Sequence, residues 1–353
     1  MQPNTKFPSE KASILLIYTG GTIGMRENPE TSALESIDFS HLHDNLPELQ
    51  KLGHKISTYQ FNPPLDSSDI GLAGWQELVR IISTEYERFD GFVILHGTDT
   101  MSFTASALSF MLENLGKPVI FTGSQLPISV LRTDGKENLI TAIEIAAASE
   151  NGLPLVPEVC IFFENALLRG NRTRKISANN FSAFRSFNYP PLASAGVHIR
   201  YEQQYINRIP GHLPLRPHYS MDNNIAILKL FPGITMNVVE HILNIPELKG
   251  MVLETFGSGN APRAATFLRL IKEAIEKGIV IVNVTQCLGG SVEMQRYETG
   301  RELLETGVVS GYDITAESAV VKLMYLFGQG MSVAEVKENL NRSLVGEISL
   351  PSI

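Results

Sequence analysis

ILLIYTGGTIGMRENPETSALESID, running from Ile14 to Asp38, sets five apolar residues, Ile14–Tyr18, against a Thr-Gly-Gly-Thr-Ile-Gly turn and a polar stretch. An apolar run of this length without alternation reads as a strand buried on both faces, the kind found in parallel sheets covered by helices. The paired glycines after it suit a tight turn, because glycine tolerates positive φ. Backbone without side chains would also let a small ligand approach, and Thr22 would then be what the ligand meets. This stretch alone leaves both readings open.

The same pattern continues outward from it. Strands are expected at Ile14–Tyr18, Gly91–Leu95, Pro118–Thr122, Val159–Phe163, Ala226–Leu230, Gly250–Leu253 and Ile279–Val284, with a further apolar segment around Ile56–Phe61. Helices are expected at Gly74–Tyr86, Thr100–Asn114, Glu137–Ser149, Met236–Leu243, Ala264–Lys277, Arg301–Thr306 and Thr315–Gly328. Continuous apolar strands separated by helices make the class α/β. Between Tyr201 and Asn224 the pattern lapses into a stretch with three prolines. The expected organisation is therefore a larger N-terminal domain over 1–205, a mostly parallel sheet wrapped by helices. A linker over 206–224 follows, and then a smaller C-terminal α/β domain over 225–353.

Composition narrows the function classes. The chain has 353 residues, 43% hydrophobic and 19% charged, with a net charge of −8. Such a balance argues against a nucleic-acid groove or an anionic membrane surface as the main partner. Cys160 and Cys287 are too few for a disulfide framework. The first 13 residues are polar and the run after them is short, so neither a signal peptide nor a membrane span is expected, and a cytoplasmic location is.

In open parallel sheets, ligands bind outside the carboxyl ends of the strands. Those ends here read TGGT, NPPLDSSD, HGTDT and TGSQ, and the strand at Val159 leads towards RGNRTRK. A P-loop is excluded because Val130 stands where the glycine before Gly135-Lys136 should be, and GSGNAP has Pro262 in place of the last fingerprint glycine. There is no HExxH, no GxSxG and no clustering of the eight histidines, so no metal is expected. What remains is threonine chemistry, which needs a neighbouring base to take the hydroxyl proton. Thr98 and Asp99 sit directly before a helix, where Asp99 and Thr100 could simply cap it. Lys175 lies among Arg169, Arg172 and Arg174 and reads equally as a solvated surface lysine or, desolvated beside Asp99, as a base. DSSD could be a plain turn or a holder of charged substrate ends.

Taken together, TGGTIG at Thr19–Gly24 and GFVILHGTDTM at Gly91–Met101 closely resemble the two signature segments of the bacterial-type L-asparaginases. Asp66–Asp69, Arg169–Lys175, Gly257–Pro262 and Thr285–Cys287 follow in the family's order, in a form that resembles its type I, cytoplasmic branch. The resemblance covers about Ile14 to Ile348. It implies hydrolysis of L-asparagine without a cofactor. Thr22 would be the nucleophile, the Thr98–Asp99–Lys175 set would pass protons, and backbone N–H groups near Thr22 and Ser124 would receive the developing oxyanion. Asp66, Ser67, Ser68 and Asp99 would hold the substrate's α-carboxylate and ammonium. Asn260 resembles a residue that a neighbouring subunit contributes, implying a homodimer, commonly paired into a tetramer.

Two departures stand out. The family's loop tyrosine is missing from Arg26–Asp38, where the equivalent region reads Thr31-Ser32-Ala33-Leu34. Either Leu34 closes the loop or a tyrosine comes from elsewhere. Some type I members also bind asparagine at a second site through a threonine and an arginine. Here those positions are Arg174 and Glu254, and only Cys287 matches, so the same effector pocket is not expected. The rival readings are a glutaminase-leaning enzyme, the amidase subunit of a tRNA-dependent amidotransferase, and a non-catalytic amino-acid sensor. The amidotransferase subunit normally carries an extra N-terminal domain, and retention of all four catalytic positions argues against the sensor.

Overall fold

The computed structural model describes residues 11–27, 34–36, 47–208 and 213–350. They form two compact units, Met1–Ser186 with Pro190–His218, and Phe187–Tyr189 with Tyr219–Ile353. Both are α/β, the first built on a large mostly parallel sheet and the second on a smaller parallel one.

The large sheet contains β1 (Ser13–Tyr18), β2 (Lys55–Gln60), β3 (Gly91–Leu95), β4 (Val119–Thr122), β5 (Val159–Phe163), β6 (Ala166–Arg169), β7 (Ala193–Ala195) and β8 (Ile199–Tyr201). Their spatial order is β8-β7-β6-β5-β4-β3-β1-β2, with β2 to β5 and β1 parallel and β6 to β8 antiparallel. Every residue of β3, β4 and β5 is buried, as continuous apolar runs require. Helix α1 (Leu72–Glu85) buries Trp75, Leu78, Val79 and Ile82, a helical stripe. Helix α2 (Met101–Met111) is buried nearly all round, and its Ser106 and Ser109 hydroxyls are satisfied by donating to carbonyls four residues back, at 2.7 and 2.8 Å. Helix α3 (Gly135–Ala147) follows β4.

Element bounds depart from expectation where local polar chemistry intervenes. The helix expected to reach Asn114 stops at Met111, because Asn114 adopts φ 62° and Leu112–Glu113 pairs with Arg216–Pro217 from the proline-rich stretch. The antiparallel strands β6 to β8 were not expected, since runs of three or four residues carry too little periodicity.

In the second unit, β9 (Ile225–Lys229), β10 (Gly250–Thr255), β11 (Val280–Thr285) and β12 (Val309–Ser310) are parallel and adjacent in chain order. Alternate residues serve two cores. Met251, Leu253 and Ile281 pack with Val239 and Phe267, on α4 (Met236–Leu243) and α5 (Ala265–Glu276). Val252, Val280 and Val282 pack with Leu323 and Val336, on α7 (Ala316–Gly328) and α8 (Val333–Leu340), while α6 (Glu298–Glu305) precedes β12. Helix α8 was not expected, although its Ser332/Glu335 capping box was readable. No helix among the described residues is long and apolar enough to cross a membrane.

Candidate active site

Residues Tyr18, Leu95 and Thr122 are aligned across β1, β3 and β4, so the loops that follow start from one edge of the sheet. The chain runs from β1 to β2 on one side and then to β3 on the other, which puts the change of direction at β1 and β3. Ligand sites of doubly wound sheets form at such a point. TGGT and HGTDT meet there.

They meet through glycine. A Cβ on Gly21 would lie 2.6 Å from Gly97 Cα, and one on Gly20 would lie 2.0 Å from the Leu65 carbonyl oxygen. Both have positive φ, at 91° and 136°. A Cβ on Gly97 would lie 2.6 Å from Ser67 Oγ, and one on Gly135 would lie 3.2 Å from both Ile23 and Ser124. TGGT therefore touches the Leu65 and Gly97 loops backbone to backbone, while the Ser67 and Ser124 side chains pack against Gly97 and Gly135. Beneath them the buried Tyr18 hydroxyl donates to the Gly21 and Gly24 carbonyls at 3.3 and 3.2 Å, bracketing the 3-10 turn Thr22–Gly24. No hydrogen bond occupies the Thr22 hydroxyl among the described residues.

Lys175 lies on a short strand, Thr173–Lys175, paired with Phe184–Ser186. Its Nζ donates to Thr98 Oγ1 at 2.7 Å and Asp99 Oδ1 at 2.6 Å. The surface-lysine reading fails here: the Lys175 side chain is 17% exposed, and Arg169 and Arg172 are buried, Arg169 against Glu158 at 2.6 Å. The capping reading fails too. Asp99 faces Lys175, and Thr100, at the N-cap of α2, makes no side-chain cap bond.

DSSD turns out to be a turn that also carries a buried side chain. Asp66 Oδ1 accepts the Ser68 N–H and hydroxyl, each at 2.8 Å, and these bonds hold its carboxyl below its ordinary range. Ser67 is 5% exposed and points under Gly97, whereas Asp66 and Ser68 are exposed. Ser124 donates its hydroxyl to the Leu126 carbonyl at 2.5 Å, and the N–H groups of Gln125 and Leu126 go to Asp134. Sequence reading missed Asp134 and Tyr18; a buried tyrosine at a strand end, which must find a partner for its hydroxyl, was the available signal for the latter.

Asn260 belongs to the second unit, held by a bridge with Phe256 and by Thr299, whose Oγ1 donates to its Oδ1 at 2.7 Å. The buried Asn283 amide supports this turn through Gly259 O and Thr255 Oγ1. Of the region Arg26–Asp38, which lacks the loop tyrosine, residues 28–33 and 37–38 lie outside the described residues, and Met25–Glu27 pairs with Leu34–Ser36. Among the described residues no group of His, Cys, Asp and Glu could hold a metal ion.

Residues 13–207 match the family described as "Asparaginase, N-terminal", and residues 224–340 match "Glutaminase/Asparaginase C-terminal domain". The chain belongs to the asparaginase family. It is 43% identical to L-asparaginase 1 of Escherichia coli K12, over 96% of this chain and 99% of that one. It is 42% identical to the 60 kDa lysophospholipase of Mus musculus over 96% of its own length, and spans 63% of that relative. Its fold follows the crystal structure of L-asparaginase I from Vibrio cholerae, with a TM-score of 0.87 at 40% identity, covering 97% of this chain and all of that one. The family's two-domain architecture is the one described above.

Proposed function

We propose that this asparaginase-family chain hydrolyses L-asparagine to L-aspartate and ammonia, with Thr22 as nucleophile. The observation that carries the reading is Lys175 Nζ held between Thr98 Oγ1 and Asp99 Oδ1 in the loop packed against TGGT. Thr22 Oγ attacks the carboxamide carbon, its proton passes towards the leaving nitrogen, the C–N bond breaks and ammonia departs. Water, losing its proton through Thr98 and Lys175, then cleaves the resulting ester and restores Thr22. Donors near Thr22 and Ser124 stabilise the oxyanion of each tetrahedral intermediate. Ser67, with Asp66 and Ser68, holds the α-carboxylate and the ammonium, and Asp99 also faces the ammonium. Asn260 completes the pocket from a neighbouring subunit of a homodimer or homotetramer working in the cytoplasm.

Ammonia release from L-asparagine and L-glutamine by the purified protein tests this reading, with Thr22→Ala, Thr98→Ala and Lys175→Met in parallel. Each variant should lose most turnover while remaining folded. Because the groups act as a unit, a double variant should be little worse than the singles. Near-normal turnover by Lys175→Met would remove it from the mechanism, and a preference for glutamine would replace the substrate assignment.

A further inference from the structure

Thr100 occupies the N-cap of α2 with φ −115° and ψ 12°, yet its side chain makes no cap hydrogen bond. An N-cap threonine ordinarily accepts an N–H from the first turn of its own helix. Here Oγ1 instead donates to the carbonyl of Ser67, at 2.6 Å and 33 residues away in the chain. Ser67 is thereby held from two directions by one segment. Gly97 leaves no room above its Oγ, since a Cβ there would lie 2.6 Å away, and Thr100 fixes the peptide that follows it. Between Gly97 and Thr100 lie Thr98 and Asp99, which carry the proton route through Lys175.

The geometry points to Thr100 as a positioning residue that sets the distance between the clamp on the substrate's α-carboxylate and the site of carbonyl attack, and so selects side-chain length; this rests on the proposed role of Ser67. A rigid spacing between clamp and nucleophile rewards the substrate whose carboxamide falls at the reacting position and penalises one longer by a methylene. Removing the hydroxyl leaves the Ser67 carbonyl its bond from the Ile70 N–H at 3.3 Å, so no acceptor is orphaned and no helix cap is lost.

The test is a steady-state comparison of Thr100→Val, Thr100→Ala, Thr100→Ser, Ser67→Ala and the Ser67→Ala/Thr100→Val double variant on asparagine and glutamine, with the thermal unfolding midpoint of each. Thr100→Val and Thr100→Ala should raise KM for asparagine about three- to tenfold, the size of one neutral hydrogen bond. Both should also narrow the asparagine-to-glutamine ratio of kcat/KM by a similar factor. Thr100→Ser should restore both values, and in the Ser67→Ala background Thr100→Val should change neither further. Unchanged KM and ratio in Thr100→Val and Thr100→Ala, with Ser67→Ala impaired, would overturn the role of Thr100 alone. An unimpaired Ser67→Ala would instead remove the clamp on which the inference rests. Losses that follow the unfolding midpoint without changing the substrate ratio would reduce Thr100 to a structural residue.

Discussion

His96, next to Gly97 at the start of the HGTDT loop, shows how a residue can be legible by type and not by state. It closes β3, is buried against Phe121, and its Nδ1 lies 2.7 Å from the Gly97 carbonyl, a contact that needs a proton on that nitrogen. The other nitrogen, Nε2, is buried with no partner among the described residues, so a second proton would have nowhere to bond. Burial accordingly pushes its pKa down from 6.5 to about 4, opposed only weakly by the Gly97 carbonyl. Between these values the unfolded chain binds the proton and the folded chain does not, so stability rises with pH. The contribution is fully present above pH 6.5 and is lost as pH falls towards 4. Taking the fold from pH 7 to pH 5 should cost about 2 kcal/mol through this residue. Urea unfolding followed by the fluorescence of Trp75, the chain's one tryptophan and part of the first unit, should show that loss in the wild type and a shallower one in His96→Gln. Equal pH slopes would show that His96 titrates normally.

At the scale of elements, the segment after α8 is held to α7 by charge. Lys322 Nζ meets Glu347 Oε1 at 2.6 Å with both side chains fully buried, and it also donates to the Arg342 carbonyl at 2.6 Å. The Glu347 carboxylate accepts the N–H groups of Leu344 and Val345 as well. Burial lowers the lysine's pKa, and the attraction of Glu347 works against that shift. Breaking such a pair strands a buried charge, whereas replacing both partners by apolar groups does not. Lys322→Met should therefore destabilise the second unit by about 3–5 kcal/mol, and adding Glu347→Leu should recover only part of it, because the Leu344 and Val345 N–H groups then lose their acceptor. Denaturant unfolding followed by circular dichroism reads both. A neutral single variant would mean that water reaches the carboxylate.

At the scale of the whole molecule, the proposal that a neighbouring subunit contributes Asn260 makes the site one built from two chains; Asn260 is carried by the second unit and Thr22 by the first. Mixing inactive Thr22→Ala chains with inactive Asn260→Ala chains should restore part of the activity, since hybrid assemblies contain one intact pocket. A fully active monomer in sedimentation would remove the shared site. Regulation is a second property of the assembly. Glu254, which stands where the family resemblance implies an arginine in some members, is paired across β9 and β10 with Lys229 at 3.4 Å. A carboxylate there repels the α-carboxylate of an effector amino acid, and its neighbouring cation is already engaged. Initial rate against asparagine concentration should then be hyperbolic, with a Hill coefficient near one. A sigmoidal curve that becomes hyperbolic on Glu254→Ala or Arg174→Ala would reveal a rebuilt effector site.

The sequence alone was enough for the α/β class, the long strands, most helices and the residue types of the site. These follow from local causes: buried parallel strands must be continuously apolar, amphipathic helices must repeat with their own period, and glycine pairs must mark tight backbone. It could not choose between bland and functional readings of Lys175 or Ser67, and it read Thr100 only as a cap, because each residue has an adequate local use as surface charge, turn or cap. Packing set the contacts these residues make. Lys175 is drawn to Asp99 and Thr98 by a hairpin whose register is not local, Thr100 leaves its own helix to reach a loop 33 residues away, and Ser67 is buried by a glycine in another loop. Hydrogen bonds between distant segments carry no periodic trace in the chain, so only the tertiary structure could decide which hydroxyls and charges meet.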